Sequence, residues 1–155
     1  MSTLSEKSEN RTAVAVQLNY ADGDLQVCVT PKNQDRFAIK IELAIEFLKE
    51  GIVRERFPKQ LNLLMNQLSS WIISRDKEIS RAYLTMRDES LCFLVERRVA
   101  TYDESFEDAL SDLDIQISDD SDLEGIRFCS MALPPISDDA LESFLHPKFQ
   151  IRFDR

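Results

Sequence analysis

The chain has 155 residues, 43% apolar and 30% charged, the balance of an ordinary soluble globular protein long enough to bury a core without disulfides or metal. Its net charge of −9, from 28 acids and 19 bases, disfavours simple binding to nucleic-acid phosphates, which needs clustered Lys and Arg. The acidity is local: Val99–Ile126 holds ten acids and no base, leaving 18 acids against 19 bases elsewhere.

The polar residues 1–12 read as a disordered tail, followed by a single domain over 13–155. AVAVQLNY and LQVCVT alternate on either side of Asp22-Gly23, a hairpin signal. Pairing outward from that turn sets Tyr20 opposite Leu25, Leu18 opposite Val27 and Val16 opposite Val29, so that one face is wholly apolar. Residues 37–43 are ambiguous, since Phe37, Ile39, Ile41 and Leu43 alternate like a strand. Phe37, Ile41, Ala44, Ile45 and Leu48 fit a helical stripe, and the residue types favour a helix from about Ala38, stopped near Gly51. Phe57, Leu61, Leu64, Met65, Leu68, Trp71 and Ile72 then recur at helical spacing behind a first-turn Pro58, with Met65 and Trp71 read as core.

RAYLTMRDESLCFLV predicts a second hairpin, with Met86 opposite Leu91, Leu84 opposite Phe93 and Ala82 opposite Val95. Its other face pairs Tyr83 with Leu94, Thr85 with Cys92 and Arg81 with Glu96. Both faces are therefore substantially apolar, and the second needs a cover, either a helix of the same chain or a partner subunit. Thr101 and Glu104 suggest a capping box ahead of a helix over 102–117, with Tyr102, Phe106, Ala109, Leu110, Leu113 and Ile117 facing inward. A strand over 113–117 is the rival, because Leu113, Ile115 and Ile117 alternate. A short strand before Pro134-Pro135, a helix capped by Ser137 and running through Leu145, and a terminal strand over KFQIRFDR with one basic edge face complete the pattern. The order is ββααββαβαβ. It describes an α+β domain, a largely antiparallel sheet built from two hairpins plus C-terminal strands, with helices packed on the sheet.

The acids of the 102–117 helix pose the functional question. Glu104, Asp108 and Asp112 form an i, i+4 stripe of like charge, each pair costing about 0.2–0.5 kcal/mol. Three readings compete: a solvated face, a surface for a basic partner, and a metal site. DSDLEG, residues 120–125, begins like a calcium loop, but Met131 stands where the closing bidentate Glu belongs, so no calcium hand is expected. The three glycines, 23, 51 and 125, are far apart in sequence, which removes the dinucleotide fingerprint and the P-loop. The sole histidine, His146, reads as a chain-end surface imidazole. Cys28, Cys92 and Cys129 have no C-x-x-C spacing and read as buried free thiols of a reducing cytosol.

No apolar run approaches the length of a membrane span and no secretory leader is visible, so a cytoplasmic protein without membrane contact is expected. Small acidic α+β proteins without catalytic motifs resemble secretion chaperones and adaptors as a class, in composition alone. The leading expectation is a non-enzymatic protein-interaction module, adaptor or chaperone-like and homodimeric, needing no cofactor or metal. Its candidate partner-binding residues are Glu104, Asp108, Asp112, Tyr83 and Leu94. The alternatives are an acidic inhibitor or DNA mimic that grips a basic partner, and a carboxylate enzyme.

Overall fold

A computed structural model describes residues 13–20, 27–48 and 51–154; the expected tail and the Asp22-Gly23 turn lie outside them, as does the side chain of Cys28. Strands β1 (Ala13–Tyr20) and β2 (Val27–Pro31) form the first hairpin, with Val14, Val16 and Leu18 buried and Gln17 exposed. Its register differs by two residues from that expected: Tyr20 pairs with Val27, Leu18 with Val29 and Val16 with Pro31. Strand side chains alternate with period two, so a two-residue shift leaves every side chain on its face. The apolar pattern fixes only the parity of the register.

Helix α1 (Gln34–Leu48) resolves the ambiguity at 37–43, burying Phe37, Ala44, Ile45 and Leu48. Helix α2 (Phe57–Ser74) buries Phe57, Leu61, Leu64, Met65, Leu68 and Ile72 at the predicted spacing, with Pro58 in its first turn. Trp71 is half-buried, edge-on to Phe93 and Phe106 at centroid distances of 5.9 and 5.6 Å. Strands β3 (Ile79–Arg87) and β4 (Ser90–Arg97) pair in the predicted register, from Met86 with Leu91 to Arg81 with Glu96. Their two-residue turn places Asp88 and Glu89 at φ of 50° and 62°, the left-handed conformation that a tight hairpin demands.

Helix α3 runs over Glu104–Asp119, buries Phe106, Leu110, Leu113 and Ile117, and leaves no strand at 113–117. Its cap is Asp103, whose carboxylate accepts from Phe106 N, so the Thr101 capping box does not form. Arg97 instead donates to the Thr101 carbonyl, and Tyr102 lies before the helix, 72% exposed. A 3-10 turn (Ser121–Leu123) leads to β5 (Phe128–Leu133). Ser137 caps the short α4 (Asp138–Glu142), which ends before Leu145, and β6 (Gln150–Asp154) follows.

The sheet order is β2-β1-β6-β3-β4-β5. It is mixed: β1–β6 and β4–β5 are parallel, and the other three pairings are antiparallel. Far from lying at an edge, β6 sits between β1 and β3 and joins the two hairpins. Helices α1, α2 and α3 share one core with the inward residues of β1, β3, β4 and β6. A second, smaller core on the opposite side of β4 gathers Cys92, Leu94, Leu133, Leu141 and Leu145. The second face of the central hairpin is therefore covered by α4 and the residues that follow it.

Gly51 and Gly125, remote in sequence, meet in space. Both have positive φ, 79° and 90°, and a Cβ on Gly125 would overlap the Gly51 carbonyl oxygen. Only glycine fits either position, because the two backbones touch there. His146 is likewise built in rather than left at the surface. It is half-buried, its ring lies 4.9 Å from that of Phe47, and its Nδ1 accepts from Lys148 N. Its backbone N–H donates to Oγ1 of the fully buried Thr85, which in turn donates to the Phe149 carbonyl. Burial, with Lys148 and Lys40 nearby, holds its imidazole below the usual range.

Candidate functional site

The five residues singled out from sequence fall on two sides of the sheet. Leu94 is 1% exposed beneath the α4 side, and Tyr83 is half-buried with it, so neither offers a ready surface to a partner. Burial raises the Tyr83 phenol, partly offset by Arg81 and Arg152. Above it, Arg81 forks onto Glu96 at 2.8 and 2.7 Å and also reaches Asp138 and the Ile136 carbonyl. Glu96 accepts in addition from Ser80 and from Ile136 N. The Arg81 guanidinium, with those further hydrogen bonds, holds the Glu96 carboxyl down to about 2. This network ties residues 136–138 to the end of the central hairpin.

Glu104, Asp108 and Asp112 behave as the helical spacing requires. They are exposed along one face of α3, and none forms an ion pair with a described residue. Their stripe continues one turn on to Ile115, an aliphatic side chain 59% exposed. Together with Ser105, Ala109 and Arg75 they line a groove of about 460 Å³. Arg75, beyond the C-terminal end of α2, was not visible as a site residue in the sequence, because only the fold brings it alongside α3. Its charge is already engaged: Nη1 lies 2.9 Å from Glu78, and its guanidinium stands 5.7 and 5.8 Å from the Trp71 and Phe106 rings. Arg75 also borders a second hollow of about 780 Å³ formed by residues 73–78.

Asp112 and Asp114 point apart, as an i, i+2 pair on a helix must. Asp114 faces β5, where burial raises its carboxyl despite a hydrogen bond with Ser130, and its Oδ1 is buried without a partner. Of the side chains that resemble the start of a calcium loop, Asp120 is engaged internally. Asp120 accepts from Asp122 N at 2.9 Å and from Gln67 at 2.6 Å, while buried Gln60 donates to the Asp122 and Glu124 carbonyls. Among the described residues, no group of three or more His, Cys, Asp or Glu side chains is placed to hold a metal ion. The displaced carboxyls also do not form a pair of acids. Glu96 answers to Arg81, Asp114 to burial, and Asp154 is lowered because bonds from Arg152 and Lys32 outweigh its burial.

No family model, curated protein or solved structure matches this chain. Among the described residues no helix is long and apolar enough to cross a membrane.

Proposed function

We propose that this chain is a non-catalytic protein-interaction module that holds a basic protein partner on the outward face of α3. One observation carries this reading: three carboxylates and an exposed isoleucine lie along one helix face, and Arg75, the cation that shares their groove, is paired with Glu78 rather than with them. Such a face combines long-range attraction for cations with a short apolar contact, the mixture on which protein partners dock. The helix beneath is well fixed by Phe106, Leu110, Leu113 and Ile117, so the backbone that carries the charges needs no further ordering. A reducing, cytoplasmic setting accords with the free thiols of Cys92 and Cys129.

The test uses poly-L-arginine as a defined cationic probe, titrated against the full chain at about 0.15 M salt. Glu104→Gln, Asp108→Asn and Asp112→Asn together should weaken binding about tenfold or more. A charge-matched control neutralises the exposed Glu46, Glu55 and Glu142 instead and should bind as the parent does. Equal losses in both variants would show attraction by net charge alone and remove α3 as the docking face.

Self-association is a second reading, moved from the central hairpin to α1. There Ile39, Leu43 and Phe47 recur at i, i+4, i+8, with Ile39 59% and Phe47 37% exposed. Light scattering at micromolar concentration should give twice the chain mass, falling to one chain mass in Ile39→Glu; a parent that is already monomeric excludes it.

A further inference from the structure

In the parallel pair β4–β5, Cys92 is the register partner of Cys129. Register partners project from the same face, and neighbouring strands lie about 4.7–4.9 Å apart. That spacing falls within the range of about 4.4–6.8 Å over which a disulfide joins two Cα atoms. Both residues are free thiols, and their side chains are hydrogen-bonded to each other. Continuous pairing from Leu91 with Phe128 to Glu96 with Leu133 holds the two sulfurs in register. The surroundings are unequal. Cys92 is wholly buried on an interior strand, whereas Cys129 is half-buried on β5, at the edge of the sheet.

We propose that Cys92 and Cys129 form a redox-active dithiol that reacts with small disulfides, Cys129 attacking and Cys92 resolving. The division of labour follows the environment of each sulfur. The hydrogen bond from Cys92 holds the Cys129 thiol below the usual range, outweighing its burial. The same bond, together with burial, pushes Cys92 up. Arg87 favours the thiolate at both sulfurs and Asp114 opposes it at both, while Asp88 opposes it at Cys129. Thiolate character and access therefore coincide at Cys129, the combination that marks an attacking thiol.

In the first step the Cys129 thiolate bonds to one sulfur of the small disulfide, whose S–S bond breaks and releases a small thiolate. In the second, Cys92 passes its proton to that thiolate and attacks the Cys129 sulfur. The Cys92–Cys129 bond forms and the second small thiolate leaves, taking from solvent the proton that Cys129 gave up on ionising. Two electrons pass from the protein to the small disulfide, which ends as two thiols.

The test incubates the folded chain with oxidised glutathione, followed by acid quenching, thiol counting and peptide mapping. Two of the three thiols should disappear, with a peptide linking Cys92 to Cys129 and no retained glutathione. Cys92→Ser should instead retain glutathione on Cys129, and Cys129→Ser should leave Cys92 unreacted. Variants are compared only after circular dichroism shows the parent spectrum, and the parent chain alone decides if they do not fold. A parent chain that keeps all three thiols, that links through Cys28, or that holds a lasting glutathione adduct on Cys129 overturns the proposal.

Discussion

Glu96 is nearly buried, yet it accepts hydrogen bonds from Arg81, Ser80 and the backbone of Ile136. Its carboxyl ionises at about 2 in the folded chain, against an ordinary value of 4.5. A carboxyl depressed by folding adds stability that is complete above the unfolded value and is lost as pH falls through the folded one. Urea unfolding should therefore show stability declining from about pH 4.5 towards pH 2, with Glu96 a contributor. Glu96→Gln should cost about 2–3 kcal/mol at pH 7, discounted from a fully buried pair because Arg81 is partly exposed. The variant should also lose part of that acid dependence; an unchanged acid limb would sink this account. Gly125→Ala tests a different residue-scale constraint, since a Cβ there meets backbone rather than a yielding side chain. It should destabilise by at least about 2 kcal/mol, and thermal unfolding measures it. Of the two features only one was legible in the sequence. Glu96 opposite Arg81 was, but the two glycines stood far apart on paper, and proximity made by tertiary folding leaves no local trace.

At the scale of elements, what the sequence revealed depended on how many constraints each segment carried. The β3–β4 register was readable because apolar residues on both faces and a tight turn agreed on one pairing. The β1–β2 pattern fixed only parity, and its register settled two residues away. The second cover of β4 appeared in sequence only as a capped helix, whose docking beneath Leu94 depends on the parallel return of β5. The same return brings Cys129 beside Cys92. Parallel partners joined through an intervening helix carry no spacing signature, so the dithiol leaves no mark in the sequence. Helix α3 shows a cost kept at the surface: like charges recur one turn apart, and its last turn holds no base. Neutralising Glu104, Asp108 and Asp112 should therefore stabilise the chain by about 0.5–1 kcal/mol. If the proposed docking is right, the same variant gains stability while losing its affinity for the cationic probe. A loss of stability would mean that these carboxylates support the fold.

On the scale of the whole molecule, β6 is the seam between β1–β2 and β3–β4–β5. Its Ile151 is fully buried and pairs with Val14 on one side and Leu84 on the other. Ile151→Ala should cost about 2–5 kcal/mol through the cavity it leaves. Hydrogen exchange should then quicken in β1 and β3 together, because one strand serves both. Quickening confined to one hairpin would show that the halves hold together by their helices. The position of β6 also bears on how the chain is made. Among the described strands β6 comes last in chain order, so during synthesis the two hairpins each keep an open flank until β6 has emerged. Until then the facing edges of β1 and β3 stay unpaired, an exposure that makes a partly made sheet prone to aggregate.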